Sequence, residues 1–314
     1  MGLMGDLQNT FSWSHSRRGA FERCQRQYWL TYYGSWGGWN RDAPPAVRQA
    51  YIEKKLTTRP MWIGTVVHDM AEGVLEDLMA GRNPNPDYHI RKAMSRANSD
   101  LRESRSERWR EWPSRVCAFQ DHYYGQEPPP EAWDEALGII EAQLRGFFEC
   151  TTYKRLHQVP ERLIEVEKLT KVDVGDVPVW VKLDALVSDG SGGAVVIDWK
   201  TGKHHQTSVV AAQLGVYGLY CTLLHDIPAD RIIAMHVNLR TGDRTQHPID
   251  DTVLEQARAD IQASADAMRT KLVDLPGNLA REEDFPKLPE GDERCAGCAF
   301  RRSCGREQPA REEA

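Results

Sequence analysis

The spacing of apolar residues divides the chain into a helical first half, a strand-rich centre and a mixed final third. Residues 12–33 carry Phe21, Cys24, Tyr28 and Tyr32 on one helical face behind a Ser12 or Ser14 N-cap, which predicts a helix. Residues 34–60 mix Gly, Pro and charge without a period and predict a loop with a short helix. From Trp62 to Ala80 a second helix is predicted, with Val67, Met70, Val74 and Leu78 on one stripe and Gly81 as the stop. Polar helical spacing continues over residues 88–112. Beyond Pro128-Pro129-Pro130, Trp133, Leu137, Ile140, Leu144 and Phe147 recur at helical intervals.

After Pro160 the period drops to two. Strands are predicted over residues 162–171, 177–187 and 194–200, a helix over 208–224, strands over 231–238 and 245–249, and a helix over 251–272. The core of this region is Val181-Lys182-Leu183-Asp184-Ala185-Leu186-Val187, then the turn-rich Ser188-Asp189-Gly190-Ser191-Gly192-Gly193, then Val195-Val196-Ile197-Asp198-Trp199-Lys200. The turn reads as a hairpin, so an antiparallel return brings Asp184 beside Asp198. Alternation along the strand turns Asp198 and Lys200 to one face and Trp199 to the other. Asp198 follows the apolar run from Ala194 to Ile197, which marks a buried strand, and a buried charge there needs compensation. A divalent cation compensates two carboxylates, and with an amine nearby the set suits attack on a phosphodiester. Carboxylate pairs on neighbouring strands also occur on plain solvent faces.

Composition changes this picture little. The 314 residues are 27% charged and 40% hydrophobic, which describes a soluble globular chain expected in the cytoplasm. No apolar run spans a bilayer, so no membrane partner is expected. The net charge of -6 argues weakly against a nucleic-acid binder, although local patches matter more than the sum. Seven cysteines in such a chain do not suggest a disulfide framework. Cys295, Cys298 and Cys304 form C-x2-C-x5-C, Cys24 stands near the N-terminus, and Cys117, Cys150 and Cys221 are scattered as small apolar residues.

The order Gly64-x-x-x-His68, Asp184, Asp198-x-Lys200 and Gln213-x-x-x-Tyr217 resembles the PD-(D/E)XK nucleases of the RecB/AddB type. That group includes the nucleases of CRISPR adaptation and the nuclease domain of a eukaryotic Okazaki-processing helicase–nuclease. The resemblance covers residues 12–33, 61–80, 163–224 and 290–305, and leaves out the helical segment 82–157. It implies a single α/β nuclease domain over residues 1–314: a restriction-endonuclease-like core at 162–272 with a mixed central sheet flanked by helices, a helical insertion at 82–157, and an iron–sulfur clamp joining 12–33 to 290–305.

Carried onto this chain, the resemblance implies that Asp184, Asp198, His68 and the Trp199 carbonyl hold Mg²⁺ or Mn²⁺, and that Lys200 orients or deprotonates the attacking water. It also implies that Gln213 and Tyr217, one helical turn apart, contact DNA; the plainer alternative is a polar–aromatic pair at the core edge. Lys182, in phase with Asp184, and Lys203 are candidate phosphate contacts or ordinary exposed lysines. Glu165 and Glu167 on the first strand read either as extra acidic groups or, more simply, as solvent-facing residues.

For the late cysteines both structural zinc and an iron–sulfur cluster take four thiolates. Phe21-Glu22-Arg23-Cys24-Gln25-Arg26-Gln27-Tyr28 is similar to the N-terminal segment of the iron–sulfur nucleases, which implies a [4Fe–4S] cluster on Cys24, Cys295, Cys298 and Cys304, with Zn²⁺ as the alternative. Loop-closure arguments give such a clamp about 5 kcal/mol of stabilisation. The arginine-rich stretch 91–110 reads either as a DNA track with Trp109 and Trp112 stacking on bases, or as a solvated helix with internal ion pairs. The functional expectation is a metal-dependent DNA nuclease, an exonuclease on single strands or DNA ends, working beside a helicase or a repair, CRISPR-adaptation or defence complex. The alternative is a non-cutting iron–sulfur DNA-binding or scaffold subunit.

Overall fold

A computed structural model describes residues 7–202 and 207–306, without the side chains of 207–211. The first helical segment is broken where a continuous helix was expected. Residues 12–14 are extended, with Trp13 bridging Val179, and Ser14 caps α1 (His15–Arg23). Cys24 then takes an extended conformation (φ -163, ψ 114) and its sulfur caps α2 (Gln25–Trp29) by accepting from Gln27 N–H. A cysteine committed to capping cannot also continue the preceding helix, and so it turns out of the helical path. The remaining helices of the first half are α3 (Pro45–Lys55), α4 (Arg59–Met79), α5 (Pro86–Arg105), α6 (Gln120–Tyr123), α7 (Pro130–Glu149) and α8 (Thr151–Gln158).

Of the predicted strands, the first two are each split. They become β1 (Leu163–Val166) with β2 (Leu169–Val174), and β3 (Val177–Lys182) with β4 (Ala185–Ser188). The breaks fall at Glu167, whose φ of +48 is left-handed, and at Leu183-Asp184, which lies outside the strands. β5 (Ala194–Lys200), α9 (Thr207–His225), β6 (Ile232–Asn238), β7 (Arg244–Pro248) and α10 (Asp251–Arg269) follow, and the short pair β8 (Leu272–Asp274) and β9 (Leu279–Ala280) was not foreseen. The central sheet has the order β1-β4-β5-β6-β7, while β2 and β3 pair only with each other. β5 and β6 run parallel through α9, and the other neighbours are antiparallel, so the sheet is mixed.

Two cores lie on the two faces of this sheet. Alternation sends Ala194, Val196 and Ala234 into a core with α9, α10 and the β2–β3 hairpin. Ile197, Trp199, Met235 and Val237 go to the other face, against α4, α5, α7 and α8. The segment 82–157 therefore forms much of one covering layer. Trp199 is 2% exposed and meets Phe147 of α7 edge-on at 5.1 Å, which anchors the end of β5 from below. Among the described residues no helix is long and apolar enough to cross a membrane.

The helix α5 stops at Arg105, and Glu107 (φ +57) turns the chain so that Trp109 is buried. Its indole N–H donates to Ser104 O at 2.9 Å and its ring packs on Tyr123. Trp109 is thus a core residue and does not offer its face to nucleic acid, whereas Trp112 is partly exposed, with the Arg41 guanidinium 4.7 Å from its ring centre. Cys150 and Cys221 are buried as small apolar residues, as expected, while Cys117 is half-buried.

Layer α7 touches the end of β5 through a glycine. A Cβ on Gly146 would lie 2.4 Å from Leu239 O, and Leu239 N–H in turn donates to Lys200 O. Gly146→Ala is expected to destabilise the protein by about 1–3 kcal/mol through this backbone clash. A lowered denaturation midpoint with an unchanged slope is the result that checks it.

Candidate active site

The split in the sheet assembles the site. Where β1 gives way to β2 and β3 to β4, Glu167 N–H donates to Asp184 O at 3.3 Å, so both side chains sit at one crossing point. The helix α4 crosses above with His68 on the near face. His68 Nδ1 is 3.5 Å from Asp184 Oδ2 and 3.5 Å from Glu167 Oε1. Donor atoms of His68, Glu167 and Asp184 all lie within 4.8 Å of one another. Gly64, one turn earlier, brings α4 past the end of β5, where an added Cβ would meet Thr201 Oγ1 at 3.4 Å.

Glu165 and Glu167 do not face solvent. Glu165 is buried with Tyr220 OH donating to it at 2.6 Å, while Glu167 turns into the site and accepts Lys182 Nζ at 2.5 Å. The register shift between Leu163 and Glu165 goes with the inward turn of Glu165, and the left-handed bend at Glu167 takes the second carboxylate off that face toward His68. Lys182 does not share a strand with Asp184, and its ammonium neutralises Glu167.

The second half of the site hangs from β5 and α9. Asp198 and Lys200 share a face, with Lys200 Nζ 2.5 Å from Asp198 Oδ2. Tyr217 OH donates to Asp198 Oδ1 at 3.2 Å, Gln213 Nε2 donates to Tyr217 OH at 2.5 Å, and Lys200 Nζ reaches Gln213 Oε1 at 3.5 Å. His236 of β6 approaches Asp198 Oδ2 at 3.7 Å. Asp184 stands beside this group and accepts Trp199 N–H at 2.7 Å through Oδ2. Gln213 and Tyr217 thus border the candidate site, and their side chains contact Lys200 and Asp198 of β5. Lys203 lies outside the described residues.

Electrostatics follow from the crowding of acids. Burial disfavours a charge on His68, but Asp184 and Glu167 outweigh it and push its pKa up to about 10. Burial, opposed by His68 and aided by the charges of Asp198 and Glu167, pushes the Asp184 carboxyl above its ordinary range. Glu167 is buried too, yet His68 and Lys182 hold it below the usual carboxylate range. Burial together with Asp198 and Asp184 keeps Tyr217 protonated far above its ordinary value. Asp198 Oδ2 is buried without hydrogen-bond geometry to any partner, although the Lys200 ammonium is close. Two carboxylates and an imidazole with donor atoms close together, and the buried Asp198 carboxylate beside them, fit a hard divalent cation, which takes oxygen ligands and tolerates a nitrogen.

A second cluster joins the chain's two ends. Cys24, Cys295, Cys298 and Cys304 line one pocket together with Arg23, Lys287, Arg294, Arg301 and Arg306. Burial pushes the Cys298 thiol up to about 11. Among the described residues no three of these sulfurs lie mutually within 4.8 Å. The late segment is tied down by its neighbours: Arg294 donates to Arg23 O, Tyr124 OH donates to Ala299 O at 2.7 Å, and the buried Glu53 carboxylate accepts Ser303 N–H at 3.2 Å. Arg26 reaches Phe285 O and pairs with Glu282.

Comparison with curated proteins gives no match. The family model described as the PD-(D/E)XK nuclease superfamily matches residues 12–305, which takes in both halves of the site and all four of these cysteines. The chain belongs to the PD-(D/E)XK nuclease superfamily.

Proposed function

We propose that this chain is a metal-dependent deoxyribonuclease that hydrolyses phosphodiester bonds at the His68, Glu167, Asp184, Asp198 and Lys200 site. The observation that carries the reading is the meeting of an imidazole from α4 with carboxylates from the broken strands, beside the Asp198–Lys200 pair. His68, Asp184, Asp198 and the Trp199 carbonyl would hold Mg²⁺ or Mn²⁺, with Glu167 as a further ligand or as the partner that fixes the His68 ring. Such a cation supplies Lewis-acid charge that makes water a stronger nucleophile and offsets phosphate charge.

The chain's own residues do the rest. Lys200, held between Asp198 and Gln213, orients the attacking water and faces the charge that grows on the phosphate. Tyr217, kept protonated, donates to Asp198 and fixes which of its oxygens turns toward the reacting centre. Trp199, packed on Phe147, keeps β5 from twisting and so holds the Asp198–Lys200 pair on one face. The preference for single strands or DNA ends rests on the likeness to RecB/AddB-type enzymes.

We assign the cysteine pocket to a [4Fe–4S] cluster. The reading follows the likeness of the Cys24 segment and of the Cys295, Cys298 and Cys304 spacing to the iron–sulfur nucleases, and Zn²⁺ on the same four thiolates is the alternative. The surrounding arginines and lysine suit a group whose thiolate ligands carry net negative charge. The cluster's role would be to clamp α1 and α2 to the C-terminal segment.

Three outcomes are expected. Asp198→Ala and Lys200→Ala each lower Mn²⁺-dependent cleavage of end-labelled DNA by roughly a hundredfold or more while the circular dichroism spectrum stays unchanged; wild-type rates in either variant remove that residue from the mechanism. Glu167→Ala weakens Mn²⁺ binding, read by titration calorimetry, by about 10–100-fold; unchanged affinity makes Glu167 a plain ion-pair residue. Anaerobically purified wild type is brown and holds iron and acid-labile sulfide in equal amounts, and Cys24→Ala loses both; a colourless, zinc-loaded wild type would overturn the cluster assignment.

A further inference from the structure

The β2–β3 hairpin carries a side chain its folding does not require. Its inward face, Val172, Val174, Val177, Val179 and Val181, is fully buried against α9 and α10 and supplies the hairpin's share of the core. On the outward face the register sets Lys171 opposite Trp180 and Leu169 opposite Lys182. Trp180 is 39% exposed there, a large apolar ring flanked by two lysines. One of these lysines, Lys182, is shared with Glu167. Aromatic rings interleaved with cations on a strand face are the equipment that tracks single-stranded nucleic acid, the ring for bases and the cations for phosphates.

This face looks into a cleft. Ser14, His15 and Ser16 at the start of α1 form one wall, Leu169, Trp180 and Lys182 the other, and Gln213 and Tyr217 the floor. Its volume is about 380 Å³, within the roughly 300–1,000 Å³ of pockets that hold a small ligand. The floor is continuous with the catalytic site, because Tyr217 bonds Asp198 and Gln213 bonds Lys200. A strand whose phosphate lies at Asp198 therefore borders the cleft with its next nucleotide.

We propose that this cleft is a base-stacking subsite, in which Trp180 receives the unpaired base of the nucleotide next to the scissile phosphate. The inference rests on the nuclease reading above and adds to it a residue that selects unpaired DNA. A base still in a duplex is stacked and paired and cannot enter a side-chain cleft without leaving its helix, which costs a few kcal/mol. Every base has a π-face, so Trp180 selects for strandedness and not for sequence.

The test uses the whole protein in EDTA and a short fluorescein-labelled single-stranded oligonucleotide, with binding read by anisotropy. Trp180→Leu, which keeps the apolar bulk and removes the π-face, is expected to weaken binding about tenfold, and Trp180→Phe to restore most of it. With Mn²⁺ added, wild type should cleave slowly at the bond beside a single abasic position, and Trp180→Leu should be indifferent to that position. Equal binding by wild type and Trp180→Leu, or abasic sensitivity that survives the substitution, overturns the subsite while leaving the nuclease reading intact. Trp180-dependent binding by a wild type that cleaves no DNA overturns the nuclease reading and leaves the subsite standing.

Discussion

Carboxylates buried close together repel one another unless positive charge faces them, and this chain meets that constraint where its sheet splits. Glu167 and Asp184 lie at the points where two strands stop and two others begin. An unbroken strand would carry Glu167 to the same face as Glu165, which meets Tyr220 of α9, and away from His68 of α4. The left-handed conformation at Glu167 is the local cost of that arrangement. Burial works against a charge on His68, but Asp184 and Glu167, gathered beside it by that bend, push its pKa up to about 10.

Fold and site share their supports. β5 turns Asp198 and Lys200 toward α9 and Trp199 toward α7, so one strand carries the acid–amine pair on one face and a core anchor on the other. The helix α4 closes the site from its N-terminal half and packs the second core through Val66, Val67, Met70 and Val74. At the far end the cysteine pocket is bound to α3 through Glu53 and to α6 and the residue after it through Tyr123 and Tyr124.

β5 was legible in the sequence for a simple reason: alternation and one Gly-rich turn determine which side chains of β4 and β5 meet. Asp198, Lys200 and the burial of Trp199 follow from the apolar run before them. His68 and the Gln213–Tyr217 pair were legible only by resemblance, because helix periodicity gives a face but not what lies opposite it. Glu167 was read as solvent-facing because nothing in Val166-Glu167-Lys168 signals a left-handed residue; a glycine or asparagine there would have. Both readings of the arginine-rich stretch, a DNA track with Trp109 stacking on bases and a solvated helix, leave Trp109 at the surface, whereas the turn at Glu107 inserts it into a small core with Tyr123. Cys24 was placed on a helix that its own capping bond interrupts.

We propose that the broken strands, α4 and Asp198 of β5 form one cation site beside Lys200. Anomalous diffraction from crystals of the protein soaked in Mn²⁺ tests it most directly. The account predicts a peak bounded by His68, Asp184 and Asp198, with Lys200 adjoining. A Mn²⁺-saturated crystal with no peak between these side chains, or with the ion bound elsewhere on the chain, would contradict it.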